Sequence, residues 1–283
     1  MLRDAGLGVE LAPTACAGDA TVLARAAAAG SQELVIVCGG DGTINEVING
    51  LAPSEIPLGI LPGGTANILA RELRLPISPV TAARRLAHWS PRRIALGRAR
   101  WTTGVAPHAA RNSVPGDSRY YATVAGIGFD AQIVYKLSPE LKMGWGVAGY
   151  VLEAFRQLVL YDFPRFACRV DGQERPATFA TVHRTRLYAG WLHMAPIAGL
   201  FQPSLAVCSF RSSSRPRYLL YALAVLTRQH LKLSDVMLEQ ATTVHCTPPQ
   251  GSEPIRFELD GELAGILPAM FELVPDALTL LVP

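Results

Sequence analysis

The residues best placed to do chemistry form two glycine-rich runs and one acidic turn. The first run is Gly39-Gly40-Asp41-Gly42-Thr43-Ile44-Asn45-Glu46, the second Pro62-Gly63-Gly64-Thr65-Ala66-Asn67, and the turn is Glu258-Leu259-Asp260-Gly261-Glu262. Glycine lets backbone amides approach a ligand closely, and amides at the start of a helix lack intrahelical acceptors and carry partial positive charge, so both runs suit phosphate. Asp41 would repel a polyphosphate unless a divalent cation lay between them, which points to Mg2+. The same residues also have a structural use. Thr43 and Glu46 are spaced as a capping box, and glycines mark ordinary turns between strand and helix. In the acidic turn, Asp-Gly reads as a hairpin, while two carboxylates at one turn suit general-base work or the holding of a cation.

The surrounding chain supplies elements that could position these groups. Residues 34–38 are apolar and predict a buried strand ahead of the first run, and Ile44, Val47, Ile48 and Leu51 follow it at helical spacing. Pro53 and Pro57 punctuate a turn, 58–61 predict the next buried strand, and the second run leads at once into a helix over 68–73. Two glycine loops that end successive parallel strands should open on the same sheet edge and face one nucleotide. Upstream, 7–13 predicts a short strand with Thr14 just past it, and 20–29 an alanine-rich helix. Downstream, 80–89 predicts a helix and 93–97 a strand leaving the domain. Beyond residue 98 the pattern becomes β-rich, with strands predicted over 120–124, 166–170, 178–182, 205–210 and 256–259, and a final strand over 278–282. Two amphipathic segments, 147–160 and 218–231, read either as covering helices or as membrane-inserting faces.

A chain of 283 residues with 49% hydrophobic and 17% charged residues holds one or two packed domains and is not a disordered protein. No signal-peptide core and no apolar run of about 18 residues is present, so the expected location is cytoplasmic, at most peripheral to a membrane. The five cysteines are odd in number and form no Cys-x-x-Cys pair, and the six histidines have no metal-ligand spacing. Net charge is +3, with arginines at Arg84-Arg85, Arg92-Arg93, Arg98, Arg100, Arg211, Arg215 and Arg217. They form either a solvated face or a surface for anionic headgroups. Basic residues are not interleaved with aromatics, which make up 7% of the chain, so no nucleic-acid partner is expected.

With these motifs in this order, and Gly126-Ile127-Gly128-Phe129-Asp130-Ala131 between them, the chain resembles the diacylglycerol kinase catalytic-domain family. Within it, the bacterial lipid kinases that are similar to sphingosine kinases come nearest. The resemblance spans nearly the whole chain. It implies an α/β fold of two domains: a phosphofructokinase-like, doubly wound nucleotide-binding domain over 1–97, to which 270–283 returns, and a β-sandwich lipid-substrate domain over 98–269. A cleft between them would take ATP, Mg2+ and a lipid alcohol. Carried over by position, Thr14, Gly39, Gly40, Asp41, Gly42, Thr43, Asn45, Glu46, Gly63, Gly64, Thr65 and Asn67 would bind the nucleotide, with Asp41 acting through the metal. Asp260 and Glu262 would activate the lipid hydroxyl. Transfer of the γ-phosphoryl group asks mainly for alignment and charge neutralisation, with a carboxylate accepting the hydroxyl proton. The implied partners are diacylglycerol or a sphingoid or ceramide-like lipid at a membrane surface, and a second copy of the chain in a homodimer.

Four departures from the family pattern stand out. Ile68 and Ala95 occupy positions where the family often has aspartates, and 201–206 lacks the carboxylates of a structural Mg2+ site found in some members. That loop is therefore expected to hold no Mg2+ and to rest on packing of Phe201 and Leu205. The family's opening strand has no counterpart, because Met1 falls where a first helix should be ending, and the true start is expected upstream. Two other functions are compatible with these features. An NAD kinase-like enzyme shares the Gly-Gly-Asp-Gly-Thr turn, although the downstream acids that would hold the NAD ribose are not evident. A nucleotide-binding regulator on a weakened kinase scaffold would account for Ile68 and Ala95.

Overall fold

A computed structural model of the chain describes Gly6 and residues 8–102, 118–137 and 139–283, with the side chains of 139–148 left out. The first part runs α1 (Asp19–Ala29), β1 (Val35–Gly39), α2 (Asp41–Leu51), β2 (Pro57–Pro62), α3 (Ile68–Glu72) and α4 (Pro79–Arg85). β1 and β2 are parallel, with Val35 opposite Leu58 and Gly39 opposite Pro62. α2 buries Ile44, Val47, Ile48 and Leu51, the face its spacing predicts. α1 lies against it at close range, because a Cβ on Gly50 would sit 2.5 Å from the Thr21 carbonyl and 2.6 Å from the Ala24 Cβ. The strand expected over 7–13 does not form among the described residues 8–13, where Leu11 is 80% exposed. Alternating apolar residues make a strand only when a neighbouring surface takes one face, and nothing covers Leu11.

The chain continues through β3 (Ser90–Trp101), β4 (Ser118–Tyr121), β5 (Val124–Gly128), α5 (Phe129–Lys136), α6 (Pro139–Leu160), β6 (Phe166–Val170), β7 (Gln173–Ala177) and β8 (Phe179–His183). It closes with β9 (Leu187–Tyr188), β10 (Leu192–His193), β11 (Leu205–Phe210), α7 (Arg215–Leu226), β12 (Val236–Ala241), β13 (Thr243–Thr247), β14 (Arg256–Leu259), β15 (Glu262–Ile266) and β16 (Ala269–Val282). One sheet has the order β1-β2-β16-β13-β6-β7, with β3 on β16 and β4 on β3. The second has the order β12-β11-β8-β5-β14-β15. The two face each other through Ile127, Cys168, Val182, Cys246, Phe257 and Phe271, giving a β-sandwich. Alternate residues of the second sheet point the other way, and α6 and α7 cover that outer face through Leu158, Phe163, Phe179, Phe210, Tyr218 and Tyr221.

β16 and β3 belong to both layers. They pair antiparallel from Ala269 opposite Trp101 to Val274 opposite Leu96, break register, and resume from Leu278 opposite Ile94 to Val282 opposite Ser90. The first half of β16 also pairs with β13 and the second half, in parallel, with β2. Ala269 and Phe271 thus lie in the sandwich core, and Leu278 and Leu280 in the core of the α/β layer.

Candidate active site

The two glycine loops meet where β1 and β2 end together. The Gly63 amide donates to the Gly39 carbonyl at 2.8 Å. A Cβ on Gly64 would sit 2.6 Å from the Gly40 Cα, so one backbone rests directly on the other and the Gly-Gly pairs are a packing requirement. The first intrahelical bond of α2 runs from the Ile44 amide to the Gly40 carbonyl at 3.0 Å. The amides of Asp41, Gly42 and Thr43 therefore have no acceptor within the helix.

Asp41 and Asn67 are turned toward the loops themselves. The Asp41 carboxylate accepts the Asn67 amide at 2.8 Å and the Ile68 amide at 2.7 Å, capping α3 from the neighbouring loop. Burial holds its pKa above the usual carboxylate range, against the pull of those two amides, and the charge of Asp260 pushes the same way. Asn67, in the left-handed region at φ 49°, accepts the Gly64 amide at 2.9 Å and donates to the Gly64 carbonyl at 2.7 Å. At position 68 the backbone amide engages Asp41 while the isoleucine side chain is buried.

The capping box does not form. α2 starts at Asp41 with Gly40 as its N-cap and no side-chain cap, so Thr43 and Glu46 already lie inside the helix. Glu46 caps α1 instead, accepting the Gly18 amide at 2.8 Å and the Ala20 amide at 3.2 Å. This holds the preceding turn beside α2. Thr14, Gly42, Thr43, Glu46 and Glu262 line one cavity there of about 320 Å³, while Thr65 stands exposed on the second loop.

Across this edge comes the hairpin between β14 and β15, whose turn residues Asp260 and Gly261 have φ of 51° and 85°. The Asp260 carboxylate accepts five hydrogen bonds: Asn45 Nδ2 at 2.6 Å, the Ala122, Thr123 and Val124 amides at 2.9, 2.8 and 3.1 Å, and Thr123 Oγ1 at 2.6 Å. Two carboxylate oxygens offer about four lone-pair sites, so its capacity is full. Asn45 Oδ1 accepts Arg119 Nη2 at 2.6 Å and Nε at 3.1 Å, and Arg119 Nη2 also donates to Glu262 Oε2 at 2.6 Å. Gly42 completes the fit, since a Cβ there would lie 2.8 Å from Glu262 Oε1. Asn45, Asp260 and Glu262 are thereby joined into one network through Arg119, a residue that the sequence reading missed. It belongs to no motif and lies 74 and 143 positions from its partners.

A second acidic group lies behind the hairpin. Asp130 on α5 faces Glu258 on β14 over Gly126, where a Cβ would be 2.1 Å from Asp130 Oδ2 and 2.7 Å from Glu258 Oε1. Tyr188 donates to Asp130 Oδ1, Tyr150 donates to the same oxygen at 2.5 Å, and the Gly261 amide donates to Glu258 Oε2 at 2.5 Å. Burial raises the pKa of both carboxyls; the charge of Asp130 pushes Glu258 further up, while hydrogen bonds from Tyr150, Tyr188 and Glu258 pull Asp130 back toward the usual range.

Among the described residues no three His, Cys, Asp or Glu side chains converge as a metal cage. The loop after Leu200 is held by a cation of the protein's own, where packing of Phe201 and Leu205 was expected to hold it. Buried Arg184 donates to the carbonyls of Leu200 at 2.6 Å, Gln202 at 3.1 Å and Ser204 at 2.5 Å, and to that of Ala95 at 3.1 Å. Burial pushes its guanidinium down to about 10, which leaves it charged at neutral pH. Two of the departures from the family pattern, at Ala95 and at 201–206, thus meet at one arginine. Phe201 itself lies under the guanidinium of Arg92, 3.9 Å from its carbon.

Comparison with known proteins agrees with this architecture. Residues 1–99 match the diacylglycerol kinase catalytic domain, and 123–282 match the YegS C-terminal NAD kinase beta sandwich-like domain. Paired glycine loops on an α/β layer, faced by an acidic hairpin from a β-sandwich, thus form the two-domain architecture of the diacylglycerol kinase catalytic domain with its β-sandwich partner. A diacylglycerol kinase of Mycobacterium tuberculosis (strain ATCC 25618 / H37Rv) is 32% identical over 271 residues, covering 94% of this chain and 82% of the relative. One of Bacillus subtilis (strain 168) is 28% identical over 274 residues, covering 95% and 84%. The crystal structure of a diacylglycerol kinase from Bacillus anthracis str. Sterne shares the fold, with a TM-score of 0.67 at 22% identity over 95% of this chain and 83% of that one. The chain belongs to the diacylglycerol kinase family.

Proposed function

We propose that the protein is an ATP-dependent lipid kinase that transfers the γ-phosphoryl group of ATP to the hydroxyl of diacylglycerol or a related lipid alcohol. The observation that carries this reading is the bond from Asn45 Nδ2 to Asp260 Oδ2 at 2.6 Å, which sets an acidic hairpin of one domain against the helix start of the other. The free amides of α2 and the paired glycine loops suit the phosphates, and the cavity beside Thr14, Thr43 and Glu262 leaves room for the rest of the nucleotide. Asp41 braces the loops, so a bound Mg2+ would be held chiefly by the phosphates, with Asp41 the nearby carboxylate, and would supply charge neutralisation there. Arg119 adds fixed positive charge next to Glu262.

Asp260 is the acceptor of the hydroxyl proton in this proposal, and Glu262, on the cavity wall, orients the hydroxyl. Since five donors already fill Asp260, the lipid hydroxyl takes the place of a side-chain donor, Thr123 Oγ1 or Asn45 Nδ2. The deciding experiment incubates the purified chain with labelled ATP, Mg2+ and dispersed diacylglycerol, ceramide, sphingosine or NAD. Label on diacylglycerol or another lipid is the expected result. Label on NAD alone would make it an NAD kinase, and ATP binding without any transfer would make it a regulator.

A further inference from the structure

Past the end of β8, residues 184–190 touch both the proposed base and the second glycine loop, and no motif marks them. Arg184 is pinned by its guanidinium to the carbonyls of Ala95, Leu200, Gln202 and Ser204. Its backbone amide and that of Thr185 donate to the Thr123 carbonyl at 2.8 and 3.2 Å, and Thr185 Oγ1 adds a third bond there at 3.3 Å. The amide of the same peptide unit, on Val124, donates to Asp260 Oδ1 at 3.1 Å. A peptide unit is planar, so three donors on its carbonyl also fix the direction of its N–H. Thr123 adds its own amide and hydroxyl to the same carboxylate oxygen, at 2.8 and 2.6 Å. The aim of Asp260 is therefore set from residues 184 and 185.

Arg186 carries this segment to the second glycine loop. Its Nε donates to Glu72 Oε1 at 3.0 Å and its backbone amide to Glu72 Oε2 at 3.1 Å. An exposed ion pair contributes little, but the Glu72 side chain is only 4% exposed and a backbone amide shares its carboxylate, so this pair fixes a position. Glu72 ends α3, the short helix that Asp41 caps at the second loop. Gly190, at φ 85°, closes the contact: a Cβ there would lie 3.4 Å from both the Cβ and the carbonyl oxygen of Ala66. From Glu72 to Asp260 the connection thus runs through Arg186, Thr185 and the Thr123–Val124 peptide, each step a hydrogen bond or a chain neighbour. Arg119 and Asn45 tie the first glycine loop to the acidic hairpin, and this second link ties the other loop to it. Phosphoryl transfer depends on the spacing between the groups that hold the phosphate and the group that takes the proton, and small misplacements are costly.

We propose that Arg186 is a positioning residue whose pair with Glu72 holds the second glycine loop in register with Asp260, an inference that rests on the lipid-kinase reading. The test compares the full chain with Arg186→Gln, Glu72→Gln, the two together, and Arg186→Lys, using labelled ATP, Mg2+ and dispersed short-chain diacylglycerol. Arg186→Gln should lower kcat about tenfold and leave KM for ATP within about twofold, since the loops keep their own amides. Arg186→Lys keeps a charge beside Glu72 and should recover most of the loss. The double variant should be no slower than the slower single one, because both substitutions cut one link. The Arg186 side chain is 46% exposed, so Arg186→Gln should melt close to the parent. Parental kcat in Arg186→Gln, a loss confined to KM, or losses that multiply in the double variant would each overturn the proposal. Hydrogen–deuterium exchange reads the same link without turnover. Arg186→Gln should speed exchange over both 66–72 and 122–126, and faster exchange over 66–72 alone would overturn the link. If the parent phosphorylates no lipid at all, the kinase reading falls while exchange still decides whether Arg186 couples the loop to Asp260.

Discussion

Two acidic sites, two residues apart on one hairpin, are held in opposite ways. Asp260 receives five donors drawn from α2, from the turn between β4 and β5 and from the first residue of β5. Glu258 and Asp130 face each other with one backbone amide and two tyrosine hydroxyls between them. Both sites are buried, at 9% exposure for Asp260 and 3% for Asp130, so burial does not distinguish them. The number of N–H groups within reach does. Donors satisfy the buried oxygens of Asp260, whereas at the second site burial raises the pKa of both carboxyls and so favours their holding a proton.

The sharpest way to break this contrast is Asp260→Asn. The amide keeps the shape, but its NH2 then faces donors already aimed at Asp260. Lipid phosphorylation should fall about 10²–10⁴-fold as expected for a lost general base, and the fold should lose about 2 kcal/mol from the unmatched donors. Steady-state kinetics and chemical denaturation read the two effects separately, and parental turnover would remove Asp260 from the chemistry. Arg119→Met tests the bridge between Asn45 and Glu262. It should cost about tenfold in turnover, roughly 1.4 kcal/mol of barrier, with nucleotide affinity falling less; an unchanged rate would make the arginine a purely structural brace.

The smallest effect should come from Asp130→Asn, which still accepts both tyrosine hydroxyls and can donate to Glu258. In the parent, both carboxyls have folded-state pKa values raised above the unfolded ones. Their stabilisation is therefore complete below about pH 4, where the unfolded groups also hold protons, and is lost as pH rises. The variant should be the more stable form at pH 8, by about 1 kcal/mol, and this advantage should shrink toward pH 4. Denaturation across that range gives the slope, and a parent and variant that run parallel would show that burial does not keep these carboxyls protonated.

Much of the α/β layer can be read from short-range pattern. β1, α2 and β2 follow from apolar spacing, and each glycine pair marks the place where one loop backbone rests on the other. β16 was legible only over its last five residues, because Pro275 and Asp276 interrupt the pattern where the strand breaks register, with Asp276 at φ 47°. The roles of Arg119 and Arg184 were not legible. Neither sits in a motif, and each makes its bonds to segments that only the folded topology brings near. Glu46 shows the converse case, in which the spacing of a capping box was present but the helix began three residues too early to use it.

The ribbon formed by β3 and β16 limits how the two layers can move. Two domains joined by a single strap can swing apart, but here a paired ladder runs through both, from Ala269 opposite Trp101 to Val282 opposite Ser90. It behaves as a leaf spring. The break between Val274 and Leu278 is where the ladder is slack, so any flexing should concentrate there as a shallow rocking of the sandwich over the glycine loops. Solution scattering with and without ATP should accordingly show nearly the same radius of gyration, and a large expansion in the free protein would mean that the spring opens elsewhere. On the proposed kinase function, turnover would then be gated by small tilts of the acidic hairpin against α2, without a wide parting of the domains.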